Sequence, residues 1–397
     1  MGHRVVQIDQ RRVTGTKPLR EHFLLRPDVF YLNHGSFGAC PRDVFEAYQK
    51  WQLDLERQPT EFLGRRFTEL MREARAVLAD YVGAHPNDLV YITNVTVGLN
   101  TVARSLRLAP DDEVLSTDHE YGALDRTWRF VCQKRGTRYV RQPVGLPVTD
   151  AEQVVEAIWA GVNSRTRVLF LSHITSPTAI IFPVAELIRR AREMGIFTIV
   201  DGAHAPGQIP LDLDSLGADV YLGNAHKWML SPKGAAFIHA RREVQQLLEP
   251  LVVSWGWEAE SPGPSRFVDH HEWQGTRDIA PFLAVPAAIR FMARHDWPEV
   301  RRRCHELVRS ARQVVTELTG LEPITPDGPE WFAQMASLPL PRCDPKLLQQ
   351  QLLERYRIEI PIITWNERQF ARISVQGYNT QADVDALVAA LNVLLHQ

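Results

Sequence analysis

Long apolar runs are missing from this sequence. Nowhere do about eighteen uncharged apolar residues follow one another, the length a membrane-crossing helix needs. The N-terminus, MGHRVVQIDQRRV, has no apolar core of the kind a secretory signal carries. Cysteine is scarce: four in 397 residues, Cys40, Cys132, Cys304 and Cys343, with no C-x-x-C and no metal-ligand spacing. That argues against a disulfide framework and for a reducing compartment, so a cytoplasmic protein is expected. Charge of one sign is not in excess either. Lys plus Arg number 45 against 47 Asp plus Glu, which offers no basic surface for nucleic acid or an anionic membrane. A small molecule is the partner expected. Also absent are the phosphate loop G-x-x-x-x-G-K-[ST], the fingerprint G-x-G-x-x-G after a strand, and the elbow G-x-S-x-G.

What is present is an alternation. Between Leu89 and Ala240, short runs rich in Val, Ile, Leu and aromatics (LVYIT, EVLST, RVLFLS, FTIVD, DVYLGN, GAAFIH) are separated by longer segments of helical period. This predicts an α/β fold built on a mostly parallel sheet with crossover helices. VAELIRRAREMG, Val184 to Gly195, shows the helical pattern, with apolar spacings of three and four and a glycine at its end. After about Pro281 the texture changes to long helices around short strands such as ARISVQ, and EAESPGPSR (Glu258 to Arg266) reads as a loop near the border. The division expected is an N-terminal segment 1–30, a large domain 31–280 and a small α+β domain 281–397. No internal repeat is found.

Polar residues gather where the predicted strands end. LVYIT delivers Asn94 and Thr96; EVLST delivers Asp118, His119 and Tyr121; RVLFLS delivers His173 and Ser176. FTIV delivers Asp201 and His204, and DVYLG delivers Asn224, His226 and Lys227. In an open α/β sheet these ends share one edge, the edge at which ligands bind. Taken alone, Lys227 reads more readily as a loop-tip lysine in solvent. Titratable groups at several strand ends are harder to explain by packing.

A metal site from His173, Asp201, His204 and His226, or from DHHE (Asp269 to Glu272), is conceivable, but no pair has the H-x-x-x-H spacing of a helical site, so no metal is expected. Pyridoxal 5′-phosphate (PLP) matches better. Its aldehyde needs an amine that can be neutral, its ring nitrogen a carboxylate, and its phosphate a helix N-terminus. Lys227, Asp201 in IVDGAHAPG, and Thr96 in NVTVGLNTVARSL can supply them.

DGAHAPG followed by GNAHKW resembles the aspartate and Schiff-base lysine segments of the fold-type I, class V aminotransferase superfamily. Within it the likeness is greatest to the isopenicillin N epimerase group. It spans nearly the whole chain through LNHGSFGACP, TDHEYGA, SHITSPTAIIFPV, VVSWGWE, WQGTRDIAPFLAVPAAIRF and RISVQGYNTQADVDALVAAL. The resemblance implies that Lys227 binds the cofactor covalently and that Asp201 pairs with its ring nitrogen. It places His204 and Ser176 at the ring's 3-oxygen, and Thr96, Val95 through its amide, Asn224 and His226 at the phosphate. Gly275 and Thr276 would reach the phosphate of a neighbouring subunit, implying a homodimer with shared sites. Arg372 would clamp the substrate α-carboxylate, with Asn33 and His34 also against the substrate; without the motif, Arg372 reads as a surface ion pair. An aromatic or imidazole ring over the cofactor is expected from His119 or Tyr121, and period two puts both on one face. Cysteine desulfurases carry a nucleophilic cysteine shortly before that arginine; YRIEIPIITWNERQF has none, which argues against persulfide chemistry.

Three functions stay open on these grounds. The first is a PLP-dependent epimerase or racemase at an amino-acid α-carbon, with Lys227 and Tyr121 or His119 handling the proton. The second is a carbon–sulfur β-lyase using the same residues. The third is a PLP-binding protein without catalysis.

Overall fold

A computed structural model describes residues 18–396. Its centre is a seven-stranded sheet of β1 (Leu89–Ile92), β2 (Glu113–Thr117), β3 (Arg138–Gln142), β4 (Thr166–Ser172), β5 (Phe197–Gly202), β6 (Val220–Asn224) and β7 (Ala236–Ala240). The spatial order is β1-β7-β6-β5-β4-β2-β3. Strands β3, β2, β4, β5 and β6 are parallel, and β7 is antiparallel to both β6 and β1. Two antiparallel steps bring β1 back into the common direction. Six of the seven strands therefore end on one edge.

Strands β1, β2, β6 and β7 are buried at every position, as covered strands with helices on both faces must be. The covering helices are amphipathic in the ordinary way. Val184–Glu193 turns Val184, Leu187, Ile188 and Ala191 inward, each large aliphatic worth about 1.5–3 kcal/mol on burial. Val95–Ser105 opens directly after β1 and is capped by Asn94, whose side chain accepts from the Val97 amide.

The second sheet is antiparallel, in the order β9-β10-β8, from β8 (Met335–Leu340), β9 (Ile362–Trp365) and β10 (Arg368–Ser374). The helix Trp297–Thr319 packs on β8, whereas Val285–Arg294 packs on the helices Arg42–Arg57 and Phe67–Val82. Near the N-terminus, Phe30–Tyr31 pairs with Ile358–Glu359, and Asn33 bridges to Ser374 at the end of β10. The LNHGSFG segment is thus held against both the small sheet and the edge where β6 ends. Among the described residues no helix is long and apolar enough to cross a membrane.

Candidate active site

Lys227 sits in the turn after β6. The amides of Ala225 and His226 both donate to the Ala235 carbonyl at 3.0 Å, folding the chain back under the lysine. The LNHGSFG segment lies directly on this turn: a Cβ at Gly38 would stand 2.1 Å from the His226 carbonyl, and Gly38 has φ +71. Only glycine allows that approach. From the other side Gly207 is pressed on Trp228, where a Cβ would meet the backbone at 2.4 Å. The Lys227 Nζ lies 3.2 Å from His204 Nε2. Burial, and then the Arg372 guanidinium, pulls this amine down to about 7, with Asp201 opposing. A neutral amine is therefore present near neutral pH.

Asp201 ends β5 and Arg372 lies on β10. Both are buried, at 4% and 6% exposure. Asp201 accepts from the Ala203 amide at 2.9 Å, and burial pushes its carboxyl up to about 6. Arg372 donates through Nη1 to the Ser176 carbonyl at 2.6 Å and its hydroxyl at 3.3 Å, and through Nη2 to Ser36 Oγ at 3.1 Å. Its Nε has no partner, and burial lowers it to about 10. Among the described residues neither Asp201 nor Arg372 forms an ion pair. Each buried charge costs several kcal/mol unless something opposes it, so the site holds one uncompensated anion and one uncompensated cation.

At the other end, the Val95 amide donates to Asn224 Oδ1 at 3.2 Å and the Val97 amide to Asn94 Oδ1 at 2.9 Å. Val95 and Asn224, both expected at a phosphate, thus engage each other. Partly exposed Thr96 lies between them at the helix start. His226 Nδ1 lies 3.1 Å from the Ala235 carbonyl, and burial pushes the ring down to about 4. Gly275 has φ +96 with open space around it, and Thr276 is exposed on the same loop. Among the described residues no hydrogen bond joins either to the rest of the site.

His119 and Tyr121 do not share a face. The strand ends at Thr117 and the chain turns through 118–120, so period two stops there. His119 is fully buried, with Nδ1 2.7 Å from Thr178 Oγ1 and Nε2 2.8 Å from the Val144 carbonyl. Tyr121 is 48% exposed, at the start of the helix Gly122–Arg135, within electrostatic reach of Arg372. His34 is also fully buried. Its Nδ1 lies 3.0 Å from Tyr378 Oη and its Nε2 3.1 Å from the Lys227 carbonyl, which leaves no ring nitrogen free for a substrate. Asn33 accepts from Ser36 Oγ at 2.5 Å, the hydroxyl that Arg372 also uses.

Several residues of this region were not singled out from the sequence. Ser36 and Glu120 lie inside the motifs LNHGSFGACP and TDHEYGA, and Trp228 directly follows the lysine. Glu120 is buried, accepts from Thr117 Oγ1 at 2.7 Å and Ser172 Oγ at 2.6 Å, and is pushed up to about 7 by burial. The DHHE cluster lies apart on the helix Arg266–Glu272, where Glu272 pairs with Arg75.

This donor set fits PLP on the structure's own terms. The uncompensated Asp201 can oppose a protonated ring nitrogen, the Lys227 amine can be neutral, and the helix start at Thr96 suits a phosphate. The uncompensated Arg372 suits the carboxylate of an amino acid. Comparison with known proteins agrees. Residues 30–387 match the aminotransferase class V family. The chain is 39% identical to the isopenicillin N epimerase of Amycolatopsis lactamdurans, over 94% of this chain and 97% of that one. Identity to the isopenicillin N epimerase of Streptomyces clavuligerus is also 39%, with the same coverage. An L-cysteine desulfhydrase of Arabidopsis thaliana is 27% identical over 92% of this chain and 88% of its own. In fold, the apo cysteine desulfurase of Thermococcus onnurineus NA1 superposes with a TM-score of 0.80 at 21% identity, covering 95% of this chain and 97% of that one. A C-DES mutant with glycine covalently linked to its PLP cofactor superposes at 0.82 and 22% identity, covering 95% and 99%. The chain belongs to the class V aminotransferase family, and its cofactor is pyridoxal 5′-phosphate.

Proposed function

We propose that this protein is a PLP-dependent epimerase or racemase acting at the α-carbon of an amino acid. The observation that carries the reading is the pair of buried charges without an ion-pair partner, Asp201 and Arg372, which act on the Lys227 amine in opposite senses. The 39% identity to isopenicillin N epimerases supports the stereochemical outcome. Bound there, the cofactor draws electrons from the substrate α-carbon and makes its proton acidic.

The residues then divide the work. Arg372 grips the carboxylate with its planar fork and fixes which substituents face Lys227. Asp201 keeps positive charge at the ring nitrogen. Lys227 Nζ takes or returns the proton on one face, a task matched to an amine titrating near 7. Tyr121, half-exposed at the mouth, is the donor assigned to the opposite face. Thr96, His226 and the start of Val95–Ser105 receive the phosphate. Gly275 and Thr276 complete that end of a second copy's site, making the active form a homodimer. In this reading residues 31–280 bind the cofactor and 281–397 bring Arg372 to it. The four unpaired cysteines support a reducing, cytoplasmic setting.

A β-lyase would use the same groups, and the 27% identity to an L-cysteine desulfhydrase supports that second reading. Incubating the holoenzyme with a panel of amino acids separates the two. Inversion of the α-carbon with no pyruvate or ammonia is expected. Pyruvate and ammonia from cysteine-type substrates, with no inversion of any amino acid, would replace the epimerase with the lyase.

A further inference from the structure

Trp228 is fully buried, and its indole Nε1 donates to His204 Nδ1 at 3.2 Å. The other nitrogen of the same ring, Nε2, faces Lys227 Nζ at 3.2 Å. An indole N–H can only donate. His204 Nδ1 must therefore accept, and in a neutral imidazole the proton then resides on Nε2. That places an N–H against the lysine nitrogen, which can meet it only with a lone pair. We propose that Trp228 is a positioning residue that fixes the tautomer of His204 and thereby holds Lys227 as a neutral amine.

His204 is 3% exposed, and its carbonyl accepts from Gln208 Nε2 at 2.7 Å, while Gln208 Oε1 accepts from the Gln334 amide at 2.9 Å. The main chain at His204 is thus tied through Gln208 to Gln334, the residue before β8. Burial keeps the imidazole neutral, far below the usual histidine range, with Lys227, Arg372, His34 and His226 adding to the effect. The charged or titratable groups within reach of Lys227 are Arg372 from β10, Asp201 from β5, the His204 ring, His226 beside it in the chain, and His34 from the LNHGSFG segment. If the tautomer were swapped, Nε2 would offer a lone pair and stabilise the ammonium instead. When the cofactor is present, the same Nε2–H is the donor available to the ring oxygen that the class V resemblance assigns to His204. The inference rests on the cofactor site proposed above, but its tests use no substrate, so a failed epimerase assay leaves them standing.

The first test is nitrogen-15 NMR of the full-length chain labelled at histidine, with and without cofactor, the His204 signal assigned by His204→Ala. Nδ1 should resonate as an unprotonated acceptor and Nε2 as a protonated nitrogen. The opposite tautomer, or a fast mixture of both, overturns the proposal, and this measurement needs no variant of Trp228. The second test follows the pH dependence of Lys227 acylation in the full-length chain before cofactor is added. Trp228→Phe should lower the rate at pH 7 by roughly threefold to tenfold, the equilibrium worth of one hydrogen bond. In a His204→Ala background, Trp228→Phe should cause no further drop. An equal drop in both backgrounds would mean that Trp228 acts by packing alone, and would overturn the proposal.

Discussion

The indole of Trp365 donates to the Asp118 carbonyl at 2.8 Å, and Asn366, beside it, donates to the Asp118 carboxylate at 2.8 Å. The tip of the β9–β10 hairpin is thereby fastened to the turn that carries Tyr121, while the same hairpin carries Arg372 at its far end. Trp365→Phe should cost about 1 kcal/mol of stability, the net value of one hydrogen bond. It should also slow turnover severalfold with cofactor affinity unchanged, because Tyr121 loses its support. Thermal melts and steady-state kinetics measure both; full turnover beside the stability loss would uncouple the hairpin from Tyr121.

Arg372 gives a test in which stability and function part company. Removing a buried guanidinium that no carboxylate opposes relieves a desolvation cost, so Arg372→Leu should melt within a few degrees of the parent or above it. The same change should raise KM at least tenfold, since the substrate carboxylate loses a bidentate partner. Strong destabilisation with an unchanged KM would make Arg372 a structural residue.

Glu120 predicts a pH effect. Its carboxyl is raised to about 7 in the folded chain from an ordinary value near 4.5. Between those values the unfolded chain ionises and the folded one does not, so Glu120 takes stability away as pH rises through the window. Glu120→Gln should therefore gain on the parent as pH increases from about 4.5 to 7, and hold that gain above. Urea titrations at a series of pH values measure the difference; a constant difference across the window contradicts the assignment.

These residues show where the sequence was readable. The buried strands announced themselves as apolar runs, and because β1 reaches the common direction by two antiparallel steps, their ends bring the residues of the candidate site to one edge. Strand β3 was not foreseen: RYVRQ lies at the sheet's edge, its positions exposed or half-buried, and so lacks the apolar signature. The separation of His119 from Tyr121 was hidden for another reason. Which side chain turns inward depends on a turn of three residues held by Trp365, some 250 positions away in the chain. The contact between Trp228 and His204 is equally non-local in its origin, since it needs Gly207 to let the two loops touch.

In the proposed reaction the α-proton leaves toward Lys227 and is replaced from the other face before anything else departs. The most direct measurement is turnover in heavy water, with both stereoisomers isolated and their α-carbons examined for deuterium, for the parent and for Tyr121→Phe. Deuterium is expected at the α-carbon of both isomers, with no keto acid, and with a Tyr121→Phe enzyme whose inversion slows more than its loss of the α-proton. Deuterium confined to the starting isomer, or inversion and proton loss slowed equally by Tyr121→Phe, would contradict the proposed reaction.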